Sequence, residues 1–222
     1  MALFLLPLLA LVVALLRGGS FDALLRARIE RLTPFTVVLG DPATGRVTCI
    51  RGIPFLALAL AIQITLYLPG LRSSPFVLAH GGVVYSLTMV CLVAYAAANW
   101  GWGAGARLLT LGLALNTLVI CANGGYMPTS AQAQLAAGGA ARAHELADRG
   151  AFVNERPLGP DTRLAVLGDL IPLRVPPLRG NVYSAGDVLV SCGLALLLYR
   201  AMRPQVQSGA SSTRHDAASP TR

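Results

Sequence analysis

Apolar residues in this chain gather into long blocks instead of alternating with polar ones. Five such blocks run near residues 1–16, 52–68, 76–98, 108–122 and 184–202. A bilayer core of ~30 Å takes about 20 predominantly apolar residues in a helix, and the blocks approach that length. The pattern predicts an all-α fold: a helical integral membrane protein with about five transmembrane helices. The first block has neither a basic leader nor an A-x-A cleavage site, so it reads as a short span and not as a signal peptide.

Weaker patterns fill the stretches between blocks. Phe21, Leu24, Leu25, Ile29 and Leu32 approximate helical spacing, with Arg26, Arg28 and Arg31 between them. This fits a basic amphipathic helix on the membrane surface, or an extension of the first span packed on its neighbours. Residues 36–39 and 46–50 flank a Gly-Asp-Pro-Ala-Thr-Gly run, which predicts a β-hairpin. An Ala- and Gln-rich run between Ala131 and Ala147 predicts an exposed helix. Residues 204–222 are polar and rich in Ser and Ala, as expected of a disordered cytoplasmic tail.

Composition sharpens the class. Of 222 residues, 55% are hydrophobic and 13% charged, and the mean hydropathy is +0.61. Soluble domains carry about 25% charged residues, so a disordered chain, an acidic binding tail and an ordinary cytosolic enzyme are excluded. The net charge of +8 comes from Arg alone, since the chain has no Lys. These arginines sit at block ends instead of clustering on one face, so they read as topology signals and no nucleic-acid partner is expected. Arg17, Arg26, Arg28, Arg31, Arg46 and Arg51 crowd the first connection, and Arg200, Arg203, Arg214 and Arg222 follow the last block. Short Arg-rich loops stay cytoplasmic. The expected topology is a multi-pass protein of the bacterial cell (inner) membrane, N-terminus outside and C-terminus cytoplasmic, with 123–183 as an extracytoplasmic loop domain. Cys49, Cys91, Cys121 and Cys192 show no CxxC or Cys/His spacing, so packing is expected, with no disulfide framework, metal or cofactor.

Most polar residues of note fall on the predicted outer side. Asn116 and Asn123 are seven apart, on nearly the same helical face. Asn123 opens Asn-Gly-Gly-Tyr-Met-Pro, where Gly124 and Gly125 free the backbone and Pro128 stops the helix. This is a helix cap, or a loop whose amides and Asn side chain line a pocket. His80 faces that pocket or is packed with a hydrogen bond, because ionisable groups at membrane depth are costly. His144 beside Glu145 reads as solvated, and Gln63 as a polar contact between helices. Asp169 interrupts an apolar stretch, 164–173, too short to span and so interfacial or re-entrant. Ser184 and Asp187 stand three apart at the start of the last block, the spacing of a capping box, where an anion also suits the helix dipole. Alternatively Asp187 pairs with Asp169. Two carboxylates held close cannot both ionise, so one would act as general acid while the other activates water.

Several of these motifs together resemble one bacterial family. They are Arg17-Gly18-Gly19, Gln63, Asn116 with Asn123-Gly124-Gly125-Tyr126-Met127-Pro128, Gly168-Asp169-Leu170-Ile171-Pro172 and Ser184-Ala185-Gly186-Asp187-Val188. The family is the uncharacterised multi-pass membrane family known as domain of unknown function 5317, and the resemblance implies no activity. A more local resemblance is to signal peptidase II, the lipoprotein signal peptidase. There Asn123, Asp169 and Asp187 match the Asn loop and the two catalytic aspartates, while Ser184 stands where that motif has Asn.

The expected function is an integral membrane protein with a polar outer-face pocket shaped by Asn116, Asn123, Gly124, Gly125, Ser184 and His80. Its partners would be the lipid bilayer and a membrane-embedded substrate or partner protein. The alternative is an outward-facing aspartyl hydrolase, with Asp169 and Asp187 catalytic. A small transporter component ranks last, because intramembrane charge is sparse and no inverted repeat is visible.

Overall fold

The computed structural model describes residues 5–17, 28–41, 46–68, 74–149, 154–175 and 180–202. All five apolar blocks are helical: α1 (Leu5–Leu16), α2 (Ile53–Tyr67), α3 (Pro75–Ala98), α4 (Ala104–Ala122) and, at the end, α7 (Ala185–Ala201). Their starts follow from local chemistry. Pro54 and Pro75 sit where a missing N–H costs nothing, and the Ser74 hydroxyl accepts from the Val77 amide at 3.3 Å.

The helices pack in a row, α2 on α3, α3 on α4, α4 on α7 and α7 on α1. In this arrangement many large apolar side chains point outward, among them Leu9, Val12, Ile64, Val83, Leu111 and Leu118. The tightest seam is α4 against α7, built on glycines seven apart. A Cβ on Gly112 would lie 2.5 Å from the Gly186 carbonyl oxygen, and one on Gly105 would lie 2.9 Å from that of Gly193. Real Cβ atoms do not approach so closely, so only glycine lets these backbones meet, the two helices running antiparallel. At one end of the row, Arg17 donates to the Tyr199 hydroxyl at 3.1 Å and joins α1 to α7.

Three differences from the sequence expectations stand out. The fold is mostly helical but not all-α, since three small sheets occur among the described residues. The predicted hairpin is present as β2 (Thr36–Asp41) and β3 (Arg46–Arg51), and β1 (Arg28–Leu32) adds a third antiparallel strand. Ile29 and Leu32 thus belong to a strand and not to an amphipathic helix; the remainder of that expected helix lies outside the described residues. Backbone pairing with β2 outweighs the loose helical spacing here. Five spans are also not supported by helix length. Ala79–Ala98 and Ala104–Ala122 are long and apolar enough to cross a membrane, whereas α1, α2 and α7 have 12, 15 and 17 residues. Gly52 in a left-handed conformation sets the start of α2, and the capping box at Ser184 sets the start of α7. The expected tail, 204–222, lies outside the described residues.

The segment after α4 folds back over one end of the row as a cap. It contains β4 (Met127–Thr129), α5 (Ala131–Ala136), α6 (Ala140–Arg149), β5 (Glu155–Pro157), β6 (Ile171–Leu173) and β7 (Asn181–Tyr183). Strands β4 and β5 pair in parallel, and β6 and β7 pair antiparallel. The single exposed helix expected over 131–147 is two helices, because Gly138 adopts φ +80° between them.

Candidate functional site

Where α7 begins, the cap and the helix row share one buried polar cluster. The Ser184 hydroxyl accepts from the Asp187 amide at 3.0 Å, and Asp187 Oδ2 accepts from the Ser184 amide at 3.0 Å. That reciprocal pair is the capping box expected from their spacing. Asn116, from α4, closes the cluster: its Nδ2 donates to Asp187 Oδ1 at 2.7 Å, and its Oδ1 accepts from the Ser184 hydroxyl at 2.9 Å. Ser184 and Asn116 are both buried, and their side-chain polar atoms are satisfied. Gly186 is part of the design, since a Cβ there would run into Asn116 Oδ1.

Asp169 stands beside this cluster on the cap. Its amide donates to the Pro128 carbonyl at 2.8 Å, and its own carbonyl accepts from the Ser130 amide at 3.0 Å, a bridge that pins it next to β4. Its neighbour Gly168 lies so near the Pro128 carbonyl that a Cβ would stand 2.5 Å away. The side chain is poorly provided for. Thr129 Oγ1 donates to Oδ2 at a long 3.5 Å, and Oδ1 is buried with no hydrogen-bond partner. Burial pushes the Asp169 carboxyl from 3.8 up to about 8, helped by the Asp187 and Glu155 carboxylates, with Thr129 and Arg142 opposing. Glu155 is itself held by Arg142 in a two-pronged contact at 2.7 and 3.3 Å.

The remaining sequence candidates divide. Asn123 spends its side chain on the cap: Nδ2 donates to the Arg163 carbonyl and Oδ1 accepts from the Arg163 amide, both at 2.9 Å. Gly125 (φ +93°) lies against the backbone of Gly82 on α3, a contact no side chain could enter. His80 is exposed on α3 against Phe76, with ring centroids 5.1 Å apart, so it neither faces the pocket nor packs in a core. A cleft of about 540 Å³ does open on this face, with Asn123, Gly124, Arg156, Asp161 and Arg163 among its walls. Asn116, Gly125, Ser184, His80, Asp169 and Asp187 are not among the residues lining it. Thr129, Gly82, Arg156 and the α4–α7 glycines escaped the sequence reading. The seven-residue spacing of Gly105 and Gly112, repeated in Gly186 and Gly193, was the available signal. Among the described residues no group of three His, Cys, Asp or Glu is arranged to hold a metal.

Residues 48–199, from β3 almost to the end of α7, match the family of unknown function DUF5317. The chain belongs to the DUF5317 family. The matched region contains the glycine seam, the Asn116–Ser184–Asp187 cluster, Asp169 and the cleft, and it leaves out α1, β1 and β2. No curated protein and no solved structure matches the chain. Signal peptidase II is thus not among the matches, and the Asn123 that the local resemblance would use is committed to the Arg163 backbone. In this DUF5317 member the asparagine loop is an anchor for the cap.

Proposed function

We propose that this DUF5317 member is a non-catalytic, multi-pass integral protein of the bacterial cell membrane that presents a polar pocket on its outer face. The observation that carries the reading is the engagement of both Asp187 oxygens within the fold: Oδ1 takes the Asn116 amide and Oδ2 the Ser184 N–H, the role of a fastening where the cap meets the helices. Membrane embedding is supported by the two long apolar helices, only 28% and 39% buried, since the core helix of a soluble protein would be mostly buried. In this reading lipid covers the outward Leu and Val side chains of the row, with α1, α2 and α7 as shorter embedded helices beside α3 and α4. Arg17, Arg51 and Arg200 gather at the end away from the cap, which supports a cytoplasmic location for that end and an outer location for the cap.

Two measurements test this. Ala141 is exposed on α6 of the cap, so Ala141→Cys in a Cys-free background should react with an impermeant maleimide added to intact cells. Labelling only after cell disruption would overturn the orientation. Asp187→Ala should lower stability in detergent by about 2–4 kcal/mol, combining loss of a cap with stranding of the Asn116 amide. Asp187→Asn should recover most of that loss, because a flipped Asn116 side chain can meet an amide.

A second reading is an aspartyl hydrolase acting on a lipid-attached or membrane-embedded substrate. It is favoured by the raised Asp169 carboxyl, which keeps its proton and so can serve as the general acid that such chemistry needs. Under that reading the natural chain hydrolyses a lipid-attached peptide and the equally stable Asp187→Asn variant does not, whereas the first reading expects no hydrolysis from either, so assaying the pair separates the two.

A further inference from the structure

We propose that the cleft beside Asn123 binds a phosphate group, in the form of a phospholipid headgroup at the outer membrane boundary. The proposal deepens the outer-pocket reading and rests on it. The cleft's volume of about 540 Å³ is that of a small-molecule site. Arg156 and Arg163 are among the residues of its wall, with Asp161 as the one acidic residue there. Arg156 stacks over the Tyr126 ring, 4.1 Å from Cζ to the ring centre, which orients a long side chain in advance. The Arg163 N–H and carbonyl are both held by Asn123, which fixes where the second arginine leaves the main chain. Neither guanidinium forms an ion pair with a described residue, whereas Arg142, on the other side of β5, is matched to Glu155.

Arg is suited to this task, because its planar fork offers paired donors that fit phosphate oxygens. Location favours a lipid as the source. Ala122, Asn123 and Gly124 are the end of α4 and the residues that leave it, so the cleft opens where a proposed span meets the headgroup layer. A phosphate lodged there would keep its acyl chains along the outward Leu118 and Cys121 of the same helix.

The test uses the full chain in a neutral detergent, titrated calorimetrically with dihexanoyl phosphatidylglycerol, with inorganic phosphate, and with a phosphate-free diacylglycerol of the same chain length. Expected is saturable binding of the phospholipid that weakens with salt, falls about ten-fold or more in Arg156→Gln and again in Arg163→Gln, and strengthens in Asp161→Asn. Inorganic phosphate binding as tightly as the lipid, with the same loss in both variants, would keep the phosphate site and assign it to a free anion. Phospholipid binding unchanged in the double variant, or equal binding of the phosphate-free lipid, would overturn the proposal. Both arginines are exposed, and melting curves verify that the variants fold. Maleimide labelling at position 141, which is not among the residues lining the cleft, reads membrane orientation independently of Arg156 and Arg163, so failure of the site is distinguishable from failure of the outer-face reading.

Discussion

Asp169→Asn is expected to raise stability a little at pH 5 and far more at pH 8. The folded chain holds the Asp169 proton up to about 8, whereas the unfolded chain gives it up near 3.8. Between those values the native state binds more protons than the unfolded state, so stability falls as pH rises, by about 1.4 kcal/mol per unit for one such group. The stabilising contribution is whole below the unfolded value and is lost by the time pH passes the folded one. An amide has no charge to bury, so the variant should show a flat profile where the natural chain slopes downward. Melting curves of the purified protein from pH 5 to pH 8 would decide the matter, and a natural chain as stable at pH 8 as at pH 5 would sink the idea. The physical source is the buried, unpartnered Oδ1 and the carboxylates of Asp187 and Glu155 on the neighbouring elements.

Gly112→Leu should be the most damaging single substitution in the helix row. A Cβ at that position already conflicts with the Gly186 carbonyl oxygen at 2.5 Å, the Val190 nitrogen at 2.7 Å and the Leu189 side chain at 2.9 Å. Two of those three are backbone atoms and cannot rotate away, so α4 and α7 must separate. Overpacking costs about 1–3 kcal/mol where side chains give way, and the upper end or beyond is expected where they cannot. Separation would also pull Asn116 off Ser184 and Asp187, one turn away on the same helices. Gly81→Ala is the matched control: only Val77 Cγ1 lies near, at 3.6 Å, and alanine favours a helix interior. A detergent melting point that drops for Gly112→Leu and holds for Gly81→Ala is the expected pair of results. Equal melting points would mean the seam is looser than its backbone spacing implies.

The helices were legible because block length and block ends are local properties. Arg17, Ser74, Asn99, Asn123 and Ser184 mark boundaries that the fold uses within a few residues. The capping box was legible for the same reason, since Ser184 and Asp187 need only each other and a helix start. What could not be read was which partners distant segments supply. Nothing in the sequence near Asp169 announces Thr129, forty residues earlier, or Arg142 and Glu155, and nothing near Asp187 announces Asn116. His80 was misplaced for a related reason: periodicity says it lies on a helix, but which side meets neighbours depends on how the row is ordered. The small sheets of the cap involve three-residue strands, too short for alternation to register.

The junction between cap and helix row has a mechanical meaning. Strand β7 ends at Tyr183 and α7 begins at Ala185, so one residue separates them, and that residue, Ser184, is bonded through both its amide and its hydroxyl. There is no slack to absorb motion. A push on the cap must be taken up as a shift or tilt of α7 itself, a rod of about 26 Å at 1.5 Å per residue. At the far end Tyr199 holds Arg17 of the α1 terminus, so the displacement arrives on the opposite side of the row. The last helix is therefore a lever with one arm in the cap and the other against the arginine-bearing end.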